Sequence, residues 1–527
     1  NKKLVRCKGA SRMKVTRWPA LAVFSLLIIG FLIIQPDDES SPVVKSLQRN
    51  QPSLVGDVDN LSSTWYCAAG TVGGSGIANH ELLLGNSSNL DSSAVISVVS
   101  VLAPTKQESE ESSSNDELEI YQLPTIDKEF FIPARSMISI KLSEIDGVAG
   151  EYAAALIQSN LGSLIVEHRL SGPFGETQSS CASTTSPVWN FAAGTTRLGA
   201  REMIFLFNPY PDNAVVDISF AADGRTRRPE AYNGLVVPPN SLLPIDLTSV
   251  VTLSETISAR ITSRTGRIVA ERLVVLGDEL SPKGLSTEIG SPSLNNLWAF
   301  PGGFTSEGLT SLVMFNPSES EIAEIDIEII PDILNYGYVE PLSVNIPASS
   351  SRSVSFKGGQ GEQNPLLVDA SKRIPKGIPF WVVVRSTNNV QIAAERFTLA
   401  QSDGNLSSSL SRGVNLSGKE HYFLMLESTG EISVANPAQD RLTLLQLMAY
   451  SDGKIFESQI IEVSAKSRKV IDLQQLGIPN NSVIKVVSTE PIALERFIGS
   501  ESIGGWGSVS LNSDLVEDLL IMEPQFD

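Results

Sequence analysis

Four copies of one strand pattern run along this chain, and that repetition limits its fold more than any other feature. Three copies open on an aromatic strand: Trp65-Tyr66-Cys67-Ala68-Ala69-Gly70, Trp189-Asn190-Phe191-Ala192-Ala193-Gly194 and Trp298-Ala299-Phe300-Pro301-Gly302-Gly303. In the fourth, His421-Tyr422-Phe423, the motif is degenerate. An apolar strand follows and ends at an Asn turn: Asn86-Ser87, Asn208-Pro209, Asn316-Pro317 and Asn436-Pro437. Next come an alternating strand (AVVDISF, EIDIEII, LTLLQLMAY) and a Pro- or Ser-marked strand (FIPARSMISIKL, VVPPNSLLPIDL, NIPASSSRSVSF, EVSAKSRKVIDL). Each copy closes on LIVEHRL, RIVAERL, QIAAERF or PIALERF. This reading puts Arg169, Arg272, Arg396 and Arg496 in one column. Glu271, Glu395 and Glu495 precede three of them, and His168 takes that place in the first copy.

Nearly every element is short, of period two, and bounded by Gly, Pro, Asn or Ser. That is the pattern of an all-β sandwich. The expectation is four tandem Ig-like β-sandwich repeats at 61–180, 181–290, 291–415 and 416–513, strung out as an extended stalk. Trp65, Trp189 and Trp298 are expected to anchor the cores, since amphipathic rings more often fill interiors than serve as carbohydrate platforms. The Asn-Pro turns suit a clean strand end, because Asn tolerates turn geometry and Pro fixes the next φ.

The N-terminus reads differently. Lys2, Lys3, Arg6, Lys8, Arg12, Lys14 and Arg17 precede WPALAVFSLLIIGFLII, and Asp37, Asp38 and Glu39 follow it. An uncharged stretch of about 17 residues is near the lower limit for a spanning helix, and the flanking charges orient it with the basic end inside. The expectation is a cytoplasmic tail (1–17), a transmembrane helix (18–35) and a flexible linker (36–60), with the remaining chain outside. A cleaved signal peptide is the alternative, but no small-x-small site follows the apolar core. The chain's net charge is −19 although its first residues are basic. Such an acidic surface argues against nucleic acid as a partner.

The W-x-F-A-x-G, N-P and A-E-R signatures resemble an actinobacterial single-anchor extracytoplasmic family of unknown function (DUF5719-like). The likeness runs over about residues 60–513 and is clearest in the second and third copies; the fourth departs by losing its Trp and Gly. The resemblance implies an envelope location and a sandwich-like fold, and it supplies no chemistry.

The residues offer little chemistry either. Cys67 and Cys181 are most simply a disulfide in an exported chain, with two separately buried thiols as the alternative. His80, His168 and His421 show no metal-ligand spacing. The glycine-rich stretches at 73–76 and 358–361 do not open a helix after a strand and read as flexible loops. The Glu–Arg dipeptide recurs in the repeats and places its two side chains on opposite faces of a strand, so it reads as support for the repeat rather than as an acid–base pair. The acidic insert at 106–118 lacks the fixed ligand spacing of a calcium loop, and the tail at 514–527 is acidic and amphipathic. No cofactor and no metal are expected. The function expected is a non-enzymatic, membrane-anchored envelope protein presenting its repeats to cell-wall polymers or envelope proteins. The alternative is an accessory subunit of a membrane complex for envelope polymer synthesis or export.

Overall fold

The structure, a computed structural model, describes residues 63–511 apart from segments at 74–75, 104–120, 161, 278–282, 305–308, 333–338, 357–366, 371–372, 374–377, 403–404, 415–417, 428–429 and 500–505. The basic tail, the apolar stretch at 18–35, the linker at 36–60, the acidic insert, the glycines at 358–361 and the C-terminal tail lie outside the described residues. Among the described residues no helix is long and apolar enough to cross a membrane. The expected single-pass plasma-membrane placement finds no transmembrane helix among the described residues, and the stretch at 18–35 that would supply one lies outside them.

Each repeat supplies two sheets. In the first repeat the strands Ser63–Cys67, Tyr152–Ser159, Ser92–Val101 and Ile126–Ile132 form one sheet in that order. Ser136–Lys141, Asn79–Asn86, Leu164–Gly172 and Gly175–Ser180 form the other. The later repeats keep this plan and add short edge strands. In each repeat we name four strands by role: the opening strand with the aromatic motif, the Asn strand, the joint strand carrying the Glu–Arg dipeptide, and the axial strand that ends the second sheet.

The faces that separate sandwiches would leave in water are buried here. The first sheet of a repeat packs on its own second sheet, as Trp65, Ile96, Leu82 and Val166 do in one cluster. Its other face packs on the second sheet of the next repeat. Tyr152 and Val99 meet Phe205 and Phe207, and Ala192 and Ala221 meet Phe315 and Ala393. Ala299 and Trp381 likewise meet Ala435 and Ala493. The circuit then closes, because Leu424 and Val483 of the last repeat pack on Leu83, Met137 and Ile165 of the first. Gly85 marks how tightly it closes: a Cβ there would run into Leu424 and Val483. Eight sheets therefore stand face to face round a ring, an eight-bladed β-propeller with two blades per repeat. The axial strands Gly175–Ser180, Gly284–Ile289, Asn405–Arg412 and Trp506–Leu511 contact one another in turn at its centre.

The expectation of four tandem Ig-like sandwiches in a stalk is thus overturned. The physical reason lies in the Asn strands. Met203 to Phe207 form an unbroken apolar run, and both faces of it are buried. A strand facing water on one side would alternate; a continuous run belongs between two layers. Within a repeat the chain does cross back and forth between its two sheets, which is why each copy reads like a self-contained sandwich.

The Asn residues do more than end strands. Asn316 Nδ2 donates to Glu321 O (2.7 Å), Ile346 O (3.0 Å) and Pro347 O (3.3 Å), while its Oδ1 accepts from Ser318 N (3.0 Å). Asn208 and Asn436 repeat the arrangement, and Asn86 does so from Leu90 to Ile132. Each side chain ties the end of the Asn strand to the outer strand of the companion blade. Asn316→Ala is expected to cost about 1–3 kcal/mol in urea unfolding, the range for buried groups left unsatisfied. Asn316→Asp should cost more, since it turns a carboxylate oxygen on those carbonyls; equal loss for the two would deny the hub role.

Candidate functional site

The polar chemistry of this protein is concentrated where one repeat meets the next. The ladder registers settle which residues correspond. Arg272, Arg396 and Arg496 pair across their ladders with Ile204, Leu312 and Ile432, each at the same distance before its turn Asn. In the first repeat the residue at that position, Leu82, pairs with His168. His168 therefore occupies the arginine column and Glu167 the glutamate column. Arg169 stands one residue further on, half-exposed beside Glu81 and Glu176. Sequence comparison placed it in the column because Arg169 matched by type; only the ladder shows the one-residue slip.

With that register the joints have one design. Each joint strand turns its glutamate towards the preceding repeat and its cation towards the following one. Arg272 Nη2 lies 2.8 Å from Glu395 Oε2, Arg396 pairs with Glu495, and Arg496 Nη2 lies 2.9 Å from Glu167 Oε2. The fourth joint is His168 Nε2 to Glu271 Oε1 at 2.7 Å. All these side chains are essentially inaccessible to solvent. Three of the glutamates also accept backbone N–H groups from the small-residue end of the preceding repeat's opening motif, and the fourth accepts one from the residue after that motif. Glu271 takes Ala68 and Ala69, Glu395 takes Ala193, Glu495 takes Gly302 and Glu167 takes Leu424. This explains the Ala-Ala-Gly following the aromatic strand: a carboxylate from the next repeat must reach the backbone there. Gly302 shows the constraint, since a Cβ would collide with Arg396 and Glu495.

The arginines also stack on phenylalanines. Arg272 Cζ sits 5.1 Å from the Phe191 ring centroid and Arg496 Cζ 5.4 Å from that of Phe423. Desolvated contacts of this kind add about 2 kcal/mol. Trp189 and Trp298 are fully buried anchors whose Nε1 donates to Ile268 O and Ile392 O, both at 2.9 Å.

Two carboxylates that sequence reasoning passed over belong to the second repeat alone. Glu202 and Glu288 are buried, and burial pushes each up to about 8, against the pull of Arg272 on Glu202 and of Arg412 on Glu288. Their register partners elsewhere are His80, Thr310 and Gly430 for Glu202, and Ser179 and Ser411 for Glu288. No signal in one sequence marks them, because isolated Glu residues in strands are usually solvated. Their folded values lie above the ordinary carboxylate value of 4.5. The stability they favour is therefore complete below about pH 4.5 and is lost as pH rises through about 8. Glu202→Gln and Glu288→Gln should flatten stability against pH over that window and gain on the order of 1–3 kcal/mol at pH 8.5. Denaturant midpoints at pH 5 and 8.5 check this; parallel slopes for wild type and variants would contradict it.

Cys67 and Cys181 form the expected disulfide. It ties the first opening strand to the segment that leaves the first axial strand, where Tyr66 and Ala182 also exchange backbone bonds. A buried disulfide is the chemistry of oxidising compartments. The glycine-rich stretch at 73–76 is no floppy loop at its start: a Cβ on Gly73 would overlap the backbone of Gly150. Among the described residues no group of His, Cys, Asp and Glu is placed to hold a metal ion. His80 and His168 do come together, and His421 lies apart beside Gly418 O.

One full cycle of this pattern, from one axial strand to the next, is what a known family shares. Residues 175–288 match a family of unknown function (DUF5719). The DUF5719 match takes in Trp189, Asn208, Pro209, Glu271 and Arg272, one complete set of the repeat's signatures. No curated protein matches the chain.

Proposed function

We propose that this protein is a non-enzymatic binding or scaffolding platform of the cell envelope, a closed ring that presents its blade edges to cell-wall polymers or envelope proteins. The observation that carries this reading is what the outer strands expose. Phe131 is 62% exposed on Ile126–Ile132, Val236 48% on Asn233–Val237, and Ile455 and Phe456 stand out on Lys454–Glu457. These side chains stand on the edge strands of their sheets, the elements that a docking partner reaches first. The use of the Glu–Arg dipeptide points the same way: its carboxylates and cations are committed to one another between repeats.

The test is binding of the purified ring to cell-wall glycan and to envelope proteins cross-linked in cells through photoreactive residues at 131, 236 and 456. Phe131→Asp, Val236→Asp and Phe456→Asp are expected to weaken binding about tenfold together, the loss of a small apolar anchor set. Binding indifferent to all three, or adducts no richer than those from exposed Leu253, would end this reading.

A further inference from the structure

The joint between the first and second repeats departs from the other three. Its cation is an imidazole, and the strand beside it carries a second one, His80, in register where the other repeats have Glu202, Thr310 and Gly430. The rings meet edge to face with centroids 5.0 Å apart. His80 Nδ1 lies 3.0 Å from Ala153 O, His80 Nε2 lies 3.1 Å from His168 Nδ1, and His168 Nε2 lies 2.7 Å from Glu271 Oε1.

Counting hydrogens shows what the joint lacks. Ala153 O can only accept, so His80 donates to it from Nδ1, and His80 Nε2 accepts from His168 Nδ1–H. Those two bonds use the two hydrogens of two neutral imidazoles, and His168 Nε2 is left facing the Glu271 carboxylate without a hydrogen bond of its own. One further proton, on the nitrogen that faces the carboxylate, turns that contact into an ion pair like those of the arginine joints. Burial, and then the charge of His168, hold His80 well below the ordinary imidazole value.

The surroundings favour a charge at this one position. Glu271 is the facing anion; it also accepts Ala68 N and Ala69 N (2.9 Å each) and Thr287 Oγ1 (2.9 Å). The charge of Glu271 helps hold Glu288, on the neighbouring axial strand, up to about 8. Within the first repeat, Arg169 and Glu176 pair with each other, Glu167 turns to Arg496, and Ser179 lies across the ladder from His168. No other cation is paired with Glu271 among the described residues. Removing the proton leaves a buried carboxylate facing a nitrogen lone pair at 2.7 Å.

We propose that this joint is a proton-dependent clasp: protonated, it binds the first two repeats as arginines bind the others, and on deprotonation the seam between them is the first to loosen. The arginine cations keep their charge at every physiological pH, so among the four joints this is the one whose cation responds to protons. The disulfide bears on the same place, because Cys67 immediately precedes the two alanines that Glu271 holds.

The test compares the full chain with His80→Thr/His168→Arg, which copies Thr310 and Arg396 of the third repeat. The readout is the opening equilibrium at the Ala68 and Ala69 amides from hydrogen exchange between pH 6 and 8, corrected for intrinsic exchange. Wild type is expected to open more readily with rising pH, by up to about tenfold per pH unit, the limit for one linked proton. The variant should change less than about twofold over the range beyond what Glu202 and Glu288, common to both proteins, impose. Equal slopes would overturn the clasp. Should the variant fail to fold, nitrogen-15 spectra of the wild-type imidazoles decide: both nitrogens of His168 protonated at pH 6 support it, and a neutral His168 with Ala68 and Ala69 still protected overturns it.

Discussion

Arg496→Ala is expected to destabilise the ring by about 3–5 kcal/mol, the cost of leaving a buried carboxylate without its cation. Glu167 would keep Leu424 N at 3.1 Å and the Gln178 amide but lose the guanidinium that neutralises it. This joint differs from the other three in kind. It links the last repeat to the first, whereas Arg272–Glu395, Arg396–Glu495 and His168–Glu271 link neighbours already joined by the chain. Its loss should therefore appear in native-state hydrogen exchange as a partial opening at Leu424 and Val483, below the free energy of global unfolding. Replacing both partners, Arg496→Met with Glu167→Leu, should recover much of the loss, because burying a charge pair costs about as much as its attraction returns. A double variant as unstable as the sum of the singles would show that the pair is not coupled. A single variant within 1 kcal/mol of wild type would show that water reaches the joint.

That experiment rests on a feature partly legible in the sequence. The fourfold pattern, the strands, the Trp anchors and the structural use of Glu271, Arg272, Glu395, Arg396, Glu495 and Arg496 could all be read from residue types and spacing. The disulfide was legible for the same reason: Cys67 and Cys181 are local marks. What could not be read was how the repeats meet. A strand's pattern reports how many of its faces are buried, but not what covers them: the apolar run from Met203 to Phe207 is buried on both faces, and the neighbouring blade that covers the second face leaves no mark in it. Closure was invisible because it depends on Leu424 and Val483 reaching Leu83 and Gly85 across almost the whole chain. The slip between Arg169 and His168 has the same root. The two residues are neighbours of similar type, and only the pairing of Leu82 with His168 decides between them.

Cys67→Ala/Cys181→Ala should lose about 2–4 kcal/mol, the usual contribution of a disulfide closing a long loop. The repeats themselves supply a more discriminating variant. In the second repeat the two cysteine positions are held by Phe191 and Gly290, and in the third by Phe300 and Gly413; in both, a Cβ on the glycine would strike the phenylalanine ring. Ring packed against bare backbone thus does in those repeats what the sulfur bridge does in the first. Cys67→Phe/Cys181→Gly is accordingly expected to regain about half or more of what the alanine pair loses, chiefly by burying an aromatic side chain, and to become insensitive to reductant. The glycine is essential to this substitution: Cys67→Phe with Cys181→Ala should fare worse than the double alanine variant, because the added ring meets a Cβ in a site with no room to relax. Thermal and urea unfolding of the three variants, with and without dithiothreitol, gives the order. If the Phe/Gly pair proves no better than Ala/Ala, the first repeat's opening strand is not packed as its counterparts are, and the bridge is holding together a joint that side-chain packing alone cannot.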